Sequence, residues 1–206
     1  PFSFVGALLQ FVSRLKDENI SEKVFAQFVN IQAKKEDTAE AQRITELSAI
    51  YTAYQKECLD RGMIDYGDQI MQVIHLLEEF PKILHFFQEK YQYILVDEYQ
   101  DTNYSQSYLL KLLSKKHQNI MVVGDDDQSI YRFRGAAISN IISFTADYPQ
   151  AKQIVLKQNY RSSQKILDSS YVLIQNNNPY RLEIENDISK KLSGNTKIAS
   201  DVEVQV

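Results

Sequence analysis

Two adjacent acids, Asp97 and Glu98, close the apolar run Tyr93-Ile94-Leu95-Val96 and open the polar stretch Tyr99-Gln100-Asp101-Thr102-Asn103. A uniformly apolar run predicts a strand buried on both faces, as in a parallel sheet. Ligands of open α/β sheets sit beyond the carboxyl ends of the strands, where the two carboxylates would lie. One carboxylate there can hold Mg²⁺ bound to a triphosphate, while the other orients and deprotonates an attacking water. An isolated Asp-Glu pair would equally suit a strand that ends in a solvated acidic loop. The neighbouring clusters change that balance.

A second apolar run, Ile120-Met121-Val122-Val123, ends in Gly124-Asp125-Asp126-Asp127-Gln128. The neutral amide of Gln128 can touch a terminal phosphate, or the water attacking it, without competing for a metal. Directly after it, Tyr131, Arg132, Phe133, Arg134 and Gly135 alternate rings with guanidinium groups. Rings can stack on unpaired bases at roughly 1–3 kcal/mol each, whatever the base, and arginines can meet phosphates. Taken alone, this pattern is better read as a half-buried strand with snorkelling arginines. A third run, Ile154-Val155-Leu156, leads into Gln158-Asn159-Tyr160-Arg161-Ser162-Ser163. Tyr160 can stack on a purine, and Arg161 can stabilise charge on a transferred phosphoryl group. Three strands each ending in a polar cluster predict one shared site.

The elements that must position these clusters are legible from periodicity. Phe4, Leu8, Phe11, Val12 and Leu15 recur at helical spacing, and 20–30 continue the pattern after a polar break. The charged stretch 33–41 predicts a solvated turn or exposed helix start. Ile44, Leu47, Tyr51, Tyr54 and Cys58 form the stripe of a longer helix, which places Cys58 as a buried structural thiol. Gly62 and Gly67 have the outer spacing of a phosphate loop, but Asp68 stands where lysine is required. A helix restarts over 68–77, and Pro81 opens another. Towards the end, Asn176-Asn177-Asn178-Pro179 stops a helix, 192–195 read as a turn, and 202–206 alternate as an exposed or edge strand. The three histidines have no partners at metal-ligand spacing.

Composition narrows the class further. With 206 residues, 44% apolar and 24% charged, the chain can build one large or two small cores. One cysteine excludes an internal disulfide framework and suits a reducing, cytoplasmic setting. No apolar run approaches the ~20 residues that span a bilayer. A net charge of −4 argues against general polyanion binding, so any nucleic-acid contact should be local.

Together the three clusters resemble the UvrD/PcrA/Rep group of superfamily 1 DNA helicases. Residues 97–103 look like its motif II, 123–136 like motif III and 158–163 like motif IV, with 64–68 similar to a further upstream segment. The resemblance covers about residues 45–185. It implies an α/β fold: a partial RecA-like P-loop NTPase domain with a parallel sheet, preceded by a helical insertion subdomain. Residues 1–90 would be that insertion and its connecting helices. Residues 91–157 would complete the first RecA-like domain, and 158–206 would carry motif IV and begin the second.

The implied cofactors are ATP and Mg²⁺, and the implied partners are single-stranded and duplex DNA, with the remaining helicase domains in cis. Asp97 would bind Mg²⁺, Glu98 would be the catalytic base, and Gln128 would couple the γ-phosphate to DNA. Tyr160 would stack on adenine and Arg161 would act as an arginine finger. Tyr131, Phe133 and Arg134 would face single-stranded DNA, with Phe133 where many relatives carry tryptophan. Translocation would run 3′ to 5′, in repair or replication.

No Gly-x-x-x-x-Gly-Lys-Ser/Thr loop occurs in these residues, and nothing matches motifs V and VI. With Pro1 at its start, the chain reads as an internal fragment, inactive alone, whose sheet edges invite oligomerisation. A helicase–nuclease subunit of the RecB/AddA type and a non-catalytic DNA-binding module are the alternatives. The Asp-Asp-Asp-Gln-Ser form of motif III stands against the first, and intact Asp97, Glu98, Gln128 and Arg161 against the second.

Overall fold

The computed structural model describes residues 3–32, 38–129 and 138–195. Three helices come first: α1 (Ser3–Asp17), α2 (Glu22–Gln32) and α3 (Thr38–Asp60). Their stripes meet in one core of Val12, Phe25, Val29 and Tyr51, flanked by Phe11, Leu15, Ile20, Ile44, Leu47 and Tyr54. The Tyr51 ring is fully buried, and its hydroxyl donates to the Ile20 carbonyl at 3.0 Å. That bond satisfies the polar end of the most deeply buried ring in the core. Cys58 is only half-buried, not the buried thiol its place in the stripe predicts.

Two further helices, α4 (Tyr66–Glu79) and α5 (Pro81–Lys90), lead to the sheet. Pro81 occupies the first turn of α5, where its missing N–H costs nothing. Gly62 turns the chain at φ +64°, outside the range that side chains prefer. Asp65 then caps α4, accepting the Asp68 N–H at 2.8 Å, while the Asp68 carboxylate accepts the Asp65 N–H at 3.4 Å. The glycines thus frame a helix start, not a phosphate loop.

Strand β1 (Ile94–Val96) pairs in parallel with β2 (Ile120–Val122) across α6 (Tyr104–Ser114). Asn103 caps α6 reciprocally with Gln106, and its side-chain amide donates to Asp17 at 2.6 Å, docking α6 on the end of α1. One sheet face contributes Val96 and Val122 to a second core of Tyr99, Ile141 and Leu182, which also takes in Leu110 and Phe144. Ile141 lies on α7 (Ile138–Asp147), and Leu182 lies on the short α9 (Leu182–Glu185), which follows α8 (Gln164–Ile174).

Three expectations need correction. First, β1 and β2 are not buried on both faces. Leu95 is 75% and Met121 57% exposed, because among the described residues nothing packs on that side. Second, Ile154–Leu156 forms no strand. The ladder begins two residues later, where β3 (Gln158–Asn159) pairs in parallel with β4 (Ser193–Gly194), so 192–195 hold a strand rather than a turn. Backbone ladders need a partner, and 193–195 supply one to 157–159 but not to 154–156. Third, the two strand pairs are separate sheets, so the three polar clusters do not end strands of one sheet. The alternating stretch 202–206 lies outside the described residues. No helix of the described residues is long and apolar enough to cross a membrane.

Candidate active site

Parallel pairing brings two polar stretches out at one end of the sheet. Val96 lies opposite Val122. Beyond the strands, the Val123 N–H donates to the Val96 carbonyl at 2.8 Å and the Tyr99 N–H to the Val123 carbonyl at 2.9 Å. Asp97 and Glu98 leave β1 on one side of this junction, and Gly124 to Gln128 leave β2 on the other. The latter close a single 3-10 turn over Asp126–Gln128.

Glu98 holds φ 51° and ψ 43°, the left-handed region that non-glycine residues seldom occupy. Outliers of this kind cluster at functional sites because surrounding contacts must hold them there. Asp97 accepts the Glu98 N–H on Oδ1 at 3.0 Å, and both carboxylates are exposed. Tyr99 points the opposite way, into the core, where its hydroxyl shares a 3.0 Å hydrogen bond with the Ser107 hydroxyl. An exposed carboxylate at a strand end is the hard oxygen donor that Mg²⁺ takes beside water and phosphate oxygens, so Asp97 fits that ion.

Gln100 joins the two stretches. Only 1% exposed, it donates from Nε2 to Glu98 Oε2 at 2.7 Å and accepts the Asp125 N–H on Oε1 at 3.0 Å. Its backbone carbonyl accepts the Ser129 hydroxyl at 3.4 Å. Gly124 makes the approach possible. A Cβ there would sit 2.7 Å from Gln100 Oε1 and 2.9 Å from Ile141 Cδ1, inside any permitted contact.

The three aspartates are held from the far end of the chain. Lys190 Nζ meets Asp125 at 2.6 Å and Asp127 at 2.7 Å, and also pairs with Asp126. Arg181 grips Asp127 with two nitrogens, Nε and Nη2, each at 2.7 Å, and Glu183 with Nη1 at 2.8 Å. The Asp126 carboxylate accepts the Leu182 N–H at 2.8 Å. Burial alone would push the Asp127 carboxyl up, but hydrogen bonds from Arg181 and Lys190 outweigh it and hold it below the usual range. Burial likewise works against charged Lys190, and the three aspartates overcome it and raise its pKa. The carboxylate oxygens lie within 4.8 Å of one another, but the ammonium of Lys190 already stands where a cation would.

The sequence-derived residues divide into three groups. Asp97 and Glu98 end β1, and Gln128 is linked to Glu98 only through Asp125 and Gln100, its amide being turned back to donate to Asp125 at 2.9 Å. Tyr160, 73% exposed, and Arg161 lie on the exposed segment after β3. No hydrogen bond or ion pair among the described residues ties either side chain to Asp97, Glu98 or Gln128. The Asn159 carboxamide shapes that segment by accepting the Arg161 and Ser162 N–H groups at 2.9 and 2.8 Å. Tyr131, Phe133 and Arg134 lie outside the described residues. Sequence reasoning gave no role to Gln100, Arg181 or Lys190. Gln100 stood inside the quoted motif and could have been found there. The two cations reach acids 54 to 65 positions away, and no local pattern announces such a contact.

Comparison with known proteins finds a matching family model and a set of curated relatives. The family model described as UvrD/REP helicase N-terminal domain matches residues 3–149. The ATP-dependent DNA helicase PcrA of Bacillus subtilis (strain 168) is 43% identical over 87% of this chain and 26% of its own length. Its namesakes in Staphylococcus aureus (strain Mu50) and Staphylococcus epidermidis are 44% and 43% identical, each over 79% of this chain and 24% of their own. The chain thus spans about a quarter of the length of the curated relatives it matches.

Proposed function

Because the chain belongs to the UvrD/REP helicase family, we propose that it carries the water-activating and metal-holding part of an ATP-dependent DNA helicase. One observation carries this reading: parallel strands set Asp97-Glu98 beside the Asp125–Gln128 turn, and Gln100 ties the two together. Glu98 takes the proton of the attacking water. Asp97 holds Mg²⁺, which when bound neutralises charge on the phosphate oxygens. Gln128 reports the state of the terminal phosphate, and for that its amide must leave Asp125. Tyr160 stacks on adenine, and Arg161 meets developing phosphoryl charge after the segment that bears it closes on the site. Tyr131, Phe133 and Arg134 touch single-stranded DNA, the track along which the motor moves 3′ to 5′ in repair or replication.

In this reading, residues 1–90 form a helical insertion, 91–157 the later part of a first RecA-like domain, and 158–206 the start of a second. The phosphate-cradling loop that such a reaction needs is not among these 206 residues, so the chain alone turns over no ATP. The test belongs in the complete protein that carries this chain, as hydrolysis of ATP stimulated by single-stranded DNA. Glu98→Gln should lower kcat by about 10²–10⁴, the usual worth of a placed general base, and leave ATP binding intact. An unchanged rate would sink the assignment. Turnover by the isolated chain, if lost in Glu98→Gln, would overturn its expected inactivity.

A further inference from the structure

Gln100 is buried, polar and joined to both halves of the site, yet no catalytic part described so far needs it. The direction of its amide follows from its partners. The Asp125 backbone N–H can only donate, so Oε1 must face it, and Nε2 is thereby presented to the Glu98 carboxylate. Gly124, by lacking a Cβ, lets the amide sit this close, since a Cβ there would lie 2.7 Å from Gln100 Oε1. Glu98 itself sits on a left-handed backbone at the exposed end of β1, where a long side chain is otherwise free to rotate. We propose that Gln100 is a positioning residue: it aims the Glu98 carboxylate at the attacking water and locks it to the Asp125–Gln128 turn.

The inference deepens the reading of Glu98 as the base and rests on it. A carboxylate accepting a 2.7 Å hydrogen bond from a fixed amide loses rotamers that point away from substrate. Misplacement of a reacting group by about 1 Å costs on the order of 100-fold in rate. Gln128 Nε2 to Asp125, the Asp125 N–H to Gln100 and Gln100 Nε2 to Glu98 form a chain of three hydrogen bonds, so release of the Gln128 amide toward the terminal phosphate is felt at the base.

Two variants of the complete protein test this. Gln100→Met keeps the length and removes both bonds. Gln100→Glu keeps an acceptor for the Asp125 N–H but cannot donate to Glu98, and it guards against a Gln100→Met protein that fails to fold. Both should lose about 100-fold in kcat for DNA-stimulated ATP hydrolysis while KM for ATP and the far-ultraviolet circular dichroism of the folded protein stay as in wild type, with a lower melting temperature expected from the Asp125 N–H left unpaired or the carboxylate buried beside Glu98. Wild-type kcat in either variant would overturn the proposal. So would a kcat loss matched by an equal rise in KM for ATP, which marks general damage to the nucleotide site rather than loss of aim at Glu98. Wild-type protein with no DNA-stimulated turnover would instead overturn the underlying reading of Glu98, and is told apart because the variants are not needed to see it.

Discussion

Asp127 shows how a single side chain can report on the whole acidic turn. Burial opposes its charge, and Arg181 and Lys190 more than reverse that effect, so its pKa in the fold lies below the ordinary value of about 3.9. A depressed carboxyl contributes stability that is fully present above the unfolded value and is lost as pH falls through the folded one. Lys190 is the mirror case. Its pKa is raised, so its contribution is complete below about 10.4 and fades only as pH rises through the folded value. Wild type should therefore melt higher than Asp127→Asn by a constant margin near neutral pH. That margin should close as pH drops below about 3.9, when the wild-type carboxyl also becomes neutral. A margin that persists to the lowest pH would mean that charge at Asp127 is not what the turn uses. Arg181 is the harsher deletion. Only 2% exposed, it serves Asp127 and Glu183 together, and Arg181→Met leaves both carboxylates short of a partner. The expected loss is about 3 kcal/mol, read from chemical denaturation, in the range for breaking one side of a buried pair.

The start of α4 shows what a short stretch of sequence can and cannot reveal. Its helical stripe and its Asp65-Asp68 cap are local, and a cap is legible because it repeats three residues apart. What surrounds the cap is not local. Lys16, 49 residues upstream on α1, is buried to its tip and meets Asp65 at 2.6 Å and Asp68 at 2.8 Å. Tyr54 and Gln55 of α3 donate to the same two carboxylates, at 2.8 and 2.9 Å. A Cβ at Gly67 would come within 2.8 Å of Lys16, so this glycine answers to α1 rather than to a phosphate. Asp65→Ala should cost about 1–2 kcal/mol for the cap, with more for a buried ammonium left with one carboxylate. Denaturant titration would show it, and a loss under the cap value alone would mean Lys16 finds water instead. The same division runs through the site. Helices α1 to α5 and strands β1 and β2 follow from stripes and apolar runs within a dozen residues. The ladder of β3 with β4, the grip of Arg181 on Asp127 and the burial of Lys16 depend on segments more than 30 residues apart. An apolar run such as Ile154–Leu156 announces a strand only when a neighbour lies beside it, and sequence spacing does not supply the neighbour.

The sheet of β1 and β2 leaves the molecule with an asymmetry that governs its behaviour in solution. Ile94, Val96, Ile120 and Val122 lie on one face and are at least partly covered, whereas Leu95 and Met121, paired in register, stand exposed on the other. Isolated exposed apolar residues are ordinary, but here they form a cross-strand pair on a sheet that has two strands among the described residues. Strands that short, with unpaired groups along their outer edges, are templates for pairing with another copy. The clustered acids Asp125, Asp126 and Asp127 do not prevent this, since Lys190 and Arg181 already offset them. The chain on its own should therefore self-associate as its concentration rises, seen as a weight-average mass that climbs in sedimentation equilibrium. Leu95→Lys with Met121→Lys should return it to a monomer without changing its helical circular dichroism, because both side chains point away from the core of Tyr99, Ile141 and Leu182. A double variant that still associates would move the contact to the outer strand edges, where backbone pairing is indifferent to these side chains. A double variant that loses its helical signal would show that the exposed pair supports the fold.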